Sequence, residues 1–186
     1  MSSLTVCNMT AVTDFKIKIN LQQLADDNAN FIKNKPVRKR RVPANNSFSG
    51  AVARFKDPKV TCLLFPNGKV VSVGAKCSED ISKTIDKLAI LLHTASPSLI
   101  TINNIVGSFS YGKKINFQMV VEKFASINIR NIMAEDFPGL SLLVGPEKTM
   151  AIIFYSGKVI ITGARDIIQL NAAYLTITKC FDEIFK

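Results

Sequence analysis

The chain is short of histidine, of paired cysteines and of acid. Its one histidine, His93, has no second imidazole to share a metal, and its four cysteines (Cys7, Cys62, Cys77 and Cys180) form no Cys-x-x-Cys pair. Zinc-ligand spacing is therefore absent, and no metal or cofactor is expected. A lone histidine and scattered carboxylates supply no acid/base pair, so no enzyme is expected. The cysteine spacing suggests no disulfide framework, which fits a reducing compartment. Cys7 and Cys62 lie in apolar, strand-like runs and read as small buried thiols. Long apolar runs are missing too: the longest fall far short of the roughly 20 residues of a membrane helix. The start, Met-Ser-Ser-Leu-Thr-Val, lacks the charge and apolar stretch of a signal peptide. An intracellular, soluble protein with no membrane partner is expected.

What is there is basic and apolar. Lysine and arginine number 24 against 14 acids, a net charge of +10, and 47% of the 186 residues are hydrophobic. That length allows one or two domains with a sizeable core. A domain this basic commonly meets a polyanion, although charge scattered over a solvated surface would give the same sum.

The chain also repeats itself. Phe65-Pro-Asn-Gly-Lys-Val-Val-Ser-Val-Gly-Ala-Lys76 returns as Phe154-Tyr-Ser-Gly-Lys-Val-Ile-Ile-Thr-Gly-Ala-Arg165, with six of twelve positions identical. Each copy has a second phenylalanine, Phe48 or Phe137, seventeen residues before the first. Upstream, Cys7-Asn8-Met9 matches Asn103-Asn104-Ile105, which places extra residues between Asn8 and Phe48. That segment holds Lys33-Asn-Lys-Pro-Val-Arg-Lys-Arg-Arg41, six basic residues in nine. Repeats are expected over 4–93, with the basic insert at about 33–46, and over 100–186. Thr94-Ala-Ser-Pro-Ser98 would link them.

Each copy reads strand, helix, three strands, helix. The opening strands are expected at Leu4–Val12 and Leu99–Ser108. Short amphipathic helices follow, with Leu21, Leu24 and Ala25 on one face, and Phe117, Val120, Val121 and Phe124 on the other copy's. Lys56-Asp-Pro-Lys59, Asn67-Gly68, Gly145-Pro-Glu-Lys148 and Ser156-Gly157 are turn signals between apolar runs. A longer helix closes each copy. The first has Ser78 as its expected N-cap and Ile81, Ile85, Leu88, Ala89 and Leu92 on one side; the second runs from Ile167 to about Phe185. This is α+β, with an antiparallel sheet and helices gathered on one face.

A sheet with one wet face should alternate apolar and polar residues. Val60-Thr-Cys-Leu-Leu-Phe65 and Met150-Ala-Ile-Ile-Phe154 are instead apolar on both parities. One parity packs under the helices; the other is covered or is a binding surface. Leu63, Phe65, Val71 and Val73 share it in one copy, and Ile152, Phe154, Ile160 and Thr162 in the other. Lys69, Lys76, Lys158 and Arg165 fall in or just past the neighbouring turns. An apolar surface rimmed by cations fits the minor groove of DNA, with phenylalanines able to wedge between base steps. Core phenylalanines would be preserved by the same duplication, so the repeat leaves both readings open.

These residues resemble the TATA-box-binding protein family over nearly the whole chain. The resemblance rests on Ile102-Asn-Asn-Ile-Val-Gly-Ser108, Phe137-Pro-Gly-Leu140 and the two Phe-x-x-Gly-Lys-x-x-x-x-Gly-Ala blocks. It implies a duplicated saddle: a curved ten-stranded antiparallel sheet with four helices on the convex face. It implies a general transcription initiation factor that binds the minor groove of double-stranded promoter DNA, bends it and nucleates the preinitiation complex in the nucleus. Phe48, Phe65, Phe137 and Phe154 match the intercalating wedges. Asn8, Thr10, Leu63, Val71, Val73, Asn104, Val106, Pro138, Ile152, Ile160 and Thr162 match minor-groove positions. Arg54, Lys69, Lys76, Lys158 and Arg165 match cations near the backbone. Met133-Ala-Glu-Asp136 stands where the family has a Glu-Pro-Glu turn that meets transcription factor IIB: Glu135 keeps one acid, the other is missing, and Asp136 is an addition. Transcription factor IIA, negative cofactor 2 and TBP-associated factors are further partners of the family.

The departures are informative. Val73 replaces a threonine that Thr162 keeps, Thr10 replaces a valine, and Leu143 stands where the family has an arginine matching Arg54. The helix at 78–92 carries only Lys83 and Lys87, fewer cations than the family's. The basic insert at 33–41 is not a family feature; it reads as a solvated loop, as extra phosphate contacts or as a nuclear localisation signal. The other reading is a related interaction module that binds initiation factors and recognises TATA DNA weakly or differently. The two copies are not equivalent, and an asymmetric saddle can prefer one orientation on DNA.

Overall fold

The computed structural model describes residues 1–30, 32–34, 50–125, 131–132, 138–145 and 149–185, with backbone alone at 33–34 and 131–132. Two compact units form: a first of Met9–Ile102, and a second of Met1–Asn8 with Asn103–Lys186. The opening strand β1 (Thr5–Asp14) contributes to both.

In the first unit β1 is followed by α1 (Leu21–Asp27), β2 (Ile32–Asn34), β3 (Ala51–Arg54), β4 (Thr61–Leu64), β5 (Lys69–Ala75) and α2 (Ser78–Leu91), with strands in the order β2-β3-β4-β5-β1. The second repeats the plan with β6 (Ile100–Ser110), α3 (Phe117–Ala125), β7 (Asn131–Ile132), β8 (Gly139–Val144), β9 (Thr149–Phe154), β10 (Lys158–Ala164) and α4 (Ile167–Ile184), in the order β6-β10-β9-β8-β7. The pairings within each unit are antiparallel. Eight of these strands have four residues or more; β2 and β7 are pieces of three and two. Among the described residues the fold is mixed α+β, with four helices and, in each unit, antiparallel strands that do not close into a barrel.

The opening strands run two residues past the expected ends. Thr13 and Asp14 find partners in Val70 and Lys69, and Ser110 in Lys158, so the ladder continues while acceptors remain opposite. The cap of α2 also differs from expectation. Cys77, not Ser78, holds the N-cap position, and its side chain makes no capping bond. Asp80 serves instead, its Oδ2 accepting from Lys76 N at 3.2 Å. The cap of α4 is a reciprocal box: Asp166 Oδ1 accepts from Gln169 N at 2.7 Å, and Gln169 Oε1 accepts from Arg165 N at 2.8 Å.

Burial follows the expected periods. On α2, Ile81, Ile85, Leu88 and Ala89 are buried, as are Cys62, Leu64 and Val70 on the inward phase of β4 and β5. On α4, Leu170, Ile177 and Phe181 are buried, as are Ile105, Ile153 and Ile161 on β6, β9 and β10. Gly107 lets α4 lie close: a Cβ there would stand 3.1 Å from Leu170 Cδ2. Tyr111 closes the end of this core, edge-on to Phe181 at 5.0 Å between centroids, with its hydroxyl donating to Asp182 at 3.0 Å. Burial pushes the Cys62 thiol up to about 12, so it is an inert core residue. Cys7 corrects the expectation of a buried thiol. It is exposed near the start of β1, with Sγ 3.0 Å from Ser108 Oγ.

Candidate nucleic-acid interface

Each unit turns one phase of its strands to the helices and leaves the other half-buried. In the first unit the second phase carries Thr10 and Val12 of β1, Val71 and Val73 of β5, and Thr61 and Leu63 of β4. The register joins them in rows: Val12 opposite Val71, Thr10 opposite Val73, Leu63 opposite Val71 and Thr61 opposite Val73. Phe65 ends that phase of β4, also half-buried. In the second unit the corresponding rows are Ile160 opposite Ser108 and Ile152, and Thr162 opposite Met150. Phe154, Asn104 and Val106 are half-buried as well, and Pro138, just before β8, is exposed. Asn8 holds the half-buried phase of β1 within the second unit. The sequence reading missed Thr61, Val12, Ser108, Met150 and Ser141, which stands opposite Ile152, on these faces. Counting by twos from Phe65 and Phe154 would have found the two on their strands, Thr61 and Met150.

The two phenylalanines are presented in the same way. Gly68 N donates to Phe65 O at 3.1 Å and Gly157 N to Phe154 O at 2.9 Å, closing a tight turn after each ring. Both glycines have positive φ, +88° and +85°, and a Cβ at Gly157 would meet Lys113 O at 2.2 Å. The turn that holds Phe154 thus depends on the backbone of the β6–α3 connection passing where a side chain would be. Gly157→Ala is expected to cost about 2 kcal/mol or more. By the usual scaling for 150–250 residues the melting midpoint should fall by roughly 4–8 °C. Gly112→Ala is the control, with φ +84° and its nearest neighbour 3.7 Å away. An equal loss in both variants would rule out the close approach as the cause.

A β-bulge lies at the same place in each copy. Ala75 pairs with Met9 and Val73 with Thr10, which leaves Gly74 out of register at φ +106°. Ala164 pairs with Ile105 and Ile161 with Gly107, which leaves Gly163 out at φ +89°. These are the glycines of the repeated Gly-Ala, where a bulge needs φ that only glycine adopts cheaply. In the second unit the bulge does something further. The freed Gly163 N donates to Asn104 Oδ1 at 2.7 Å, and Thr162 Oγ1 lies 3.4 Å from the same oxygen. A backbone N–H can only donate, so it fixes which amide atom is oxygen. The NH2 of Asn104 is left with two donors and no hydrogen bond among the described residues.

Cations surround the apolar rows. Arg54 faces Thr61, Lys69 faces Asp14 and Lys158 faces Ser110, all on the open phase. Lys76 and Arg165 follow the strand ends, and all five are exposed. None of the five has an ion pair among the described residues. Phe48, Phe137, Glu135, Asp136 and the basic run 35–41 lie outside the described residues. No helix among the described residues is long and apolar enough to cross a membrane.

Comparison with known proteins agrees with this arrangement. The family model described as transcription factor TFIID, or TATA-binding protein (TBP), matches residues 3–95 and 99–184. The TATA-box-binding protein of Methanococcus maripaludis strain C6 is 31% identical over 96% of this chain and 94% of its own length. That of Methanosphaera stadtmanae is 40% identical over 63% of this chain and 66% of its own. TATA-box-binding protein 2 of Entamoeba histolytica is 32% identical over 70% of this chain and 62% of its own. Among solved structures, the Methanococcus jannaschii TBP superposes with a TM-score of 0.72 at 26% identity, covering 98% of this chain and 99% of that one. The family match thus spans both copies of the repeat, and the chain belongs to that family of transcription factors: the TATA-binding protein family.

Proposed function

We propose that this chain is a general transcription initiation factor that binds promoter DNA in the minor groove of a TATA-like element. It bends the duplex by phenylalanine insertion and seeds the initiation complex. The observation that carries the reading is the Asn104 amide, whose oxygen is taken by the bulge at Gly163 while its NH2 remains on an apolar face. The floor of an A·T minor groove offers only the acceptors adenine N3 and thymine O2. A fixed NH2 among apolar side chains matches that floor. Val71, Val106, Leu63, Ile152 and Ile160 supply sugar and base-edge contacts, with Asn8, Thr10, Val73, Thr162 and Pro138 beside them. The wedges are Phe65 and Phe154, with Phe48 and Phe137 as their partners by sequence.

A factor IIB-like protein at Glu135 and Asp136 is the partner the sequence favours, with factor IIA, negative cofactor 2 and TBP-associated factors as further candidates. The nuclear location rests on the DNA reading and on the basic segment 33–41.

Fluorescence anisotropy with an A·T-rich and a G·C-rich duplex, titrated at several salt concentrations, tests this reading. The A·T duplex should bind at least about tenfold tighter, the cost of one or two mismatched pairs. If each of the five exposed cations neutralises one phosphate, log K should fall against log salt with a slope of about −4.5. Equal affinity for both duplexes would leave only the interaction module that binds initiation factors.

A further inference from the structure

Helix α4 is apolar on two sides. One side packs on β9 and β10 of its own unit, with Leu170, Ala173, Ile177 and Phe181 buried. The other carries Ile168, Ala172 and Leu175, with Ile168 exposed by 80% and Leu175 by 63%. Lys179 and Asp182, both exposed, continue that line to the last turn. From Ile168 the steps are four, three, four and three residues, the spacing that holds side chains on one seam of a helix. A surface helix ordinarily shows water a polar face opposite its buried one. An apolar seam on that outer face marks a place where another surface docks.

We propose that the occupant is a second copy of this chain, paired through antiparallel α4 helices. The charges select that neighbour. Asp166 stands at the N-cap, beside the positive end of the helix dipole, and Lys179 and Asp182 stand near the other end. None of the three has an ion pair among the described residues. A two-fold axis between Ala173 and Tyr174 sets Ala172 against Leu175 of the second copy, and Ile168 against the stem of Lys179. The Lys179 ammonium then reaches towards Asp166 of the second copy, and Asp182 towards the positive start of its helix. Each contact occurs twice, as a two-fold interface requires. A parallel neighbour would instead set Lys179 against Lys179 and Asp182 against Asp182. One helix per chain makes a small interface, under about 1,200 Å² in total, so the dimer is weak and exchanges with monomer. The seam points away from β9 and β10, so the open phase of those strands stays free in the pair.

Sedimentation equilibrium of the full chain, at graded concentrations and low salt, tests the pairing. The wild-type chain should pass reversibly from monomer to dimer. Leu175→Glu should weaken association at least about a hundredfold, because a symmetric contact loses each leucine twice. Ala172→Lys should weaken it as well. Both positions are exposed, so thermal unfolding followed by circular dichroism should stay close to wild type, and so should affinity for the A·T duplex. A mixture of the two variant chains should associate again, because the antiparallel register sets position 172 of one against position 175 of the other and pairs the new charges. A wild-type chain that stays monomeric at every concentration would overturn the proposal and leave the seam to a different partner. Dimers that Leu175→Glu leaves intact would overturn it too, as would a mixture no more associated than either variant alone.

Discussion

Replacing Phe65 and Phe154 together by alanine is expected to abolish bending of bound DNA and to weaken binding about a thousandfold. Each ring ends a strand on the open face, at the point where the chain reverses. The glycine three residues on donates back to the phenylalanine carbonyl, at 3.1 Å for Phe65 and 2.9 Å for Phe154, so the backbone under each ring is fixed. A wedge must be fixed to work: unstacking a base step costs a few kcal/mol, and a floppy ring would add its own ordering entropy. Truncating a well-held aromatic anchor typically removes about 2 kcal/mol or more. Two such losses give about 4 kcal/mol, or about three decades in affinity. The rings are only half-buried in the free protein, so stability should fall far less than binding does. Energy transfer between dyes at the two ends of the duplex reads the bend, and anisotropy reads the affinity. A double variant that still brings the DNA ends together as the wild type does would remove the wedge assignment from these two residues.

The second large effect is expected from Asn104→Asp. The carboxylate is nearly the same shape as the amide, and it can still accept from Gly163 N, which lies 2.7 Å from Oδ1. Folding should therefore be close to wild type, with the bulge bond gaining charge assistance. Only the outward half of the group changes: two donors become an acceptor bearing negative charge. Against adenine N3 and thymine O2 that acceptor has nothing to bond, and the neighbouring phosphates repel it. A buried acceptor left unpaired costs about 1–3 kcal/mol, and the charge adds to it. A loss of about 30- to 100-fold on an A·T duplex is expected, at an unchanged melting temperature. Asn104→Leu separates the two roles, because it loses the bulge bond as well and should lower the midpoint. Equal A·T affinity in wild type and Asn104→Asp would show that the amide does not read the groove floor.

The sequence by itself settled the parts that depend on local period. A strand's phase is written in every second residue and a helix's face in every third or fourth. Leu63, Val71, Ile152 and Ile160 could therefore be placed on one phase, and Ile81, Ile85 and Leu88 on one helical side, without coordinates. The duplication added the two-copy plan and the paired phenylalanines. It also supplied the cationic rim, because lysine and arginine in turns stay at the surface.

What waited for the tertiary structure was every pairing between residues far apart in the chain. In sequence the repeated Gly-Ala is only part of the duplicated block, and the fold makes it a bulge. Only there does Gly163 N lose its ladder partner and find the oxygen of Asn104, 59 residues away. The same holds for Gly157, whose need for hydrogen in place of a side chain comes from Lys113 O, 44 residues earlier. Leu143 meets Met150, and Arg54 meets Thr61, only through strand register. Cys7 looked apolar by its neighbours, yet it is exposed, near the start of β1. Local pattern says which side of an element is apolar. Where a freed donor ends, and which side chain stands across from which, is decided by three-dimensional closeness, because each buried backbone group must find its partner wherever the fold brings one.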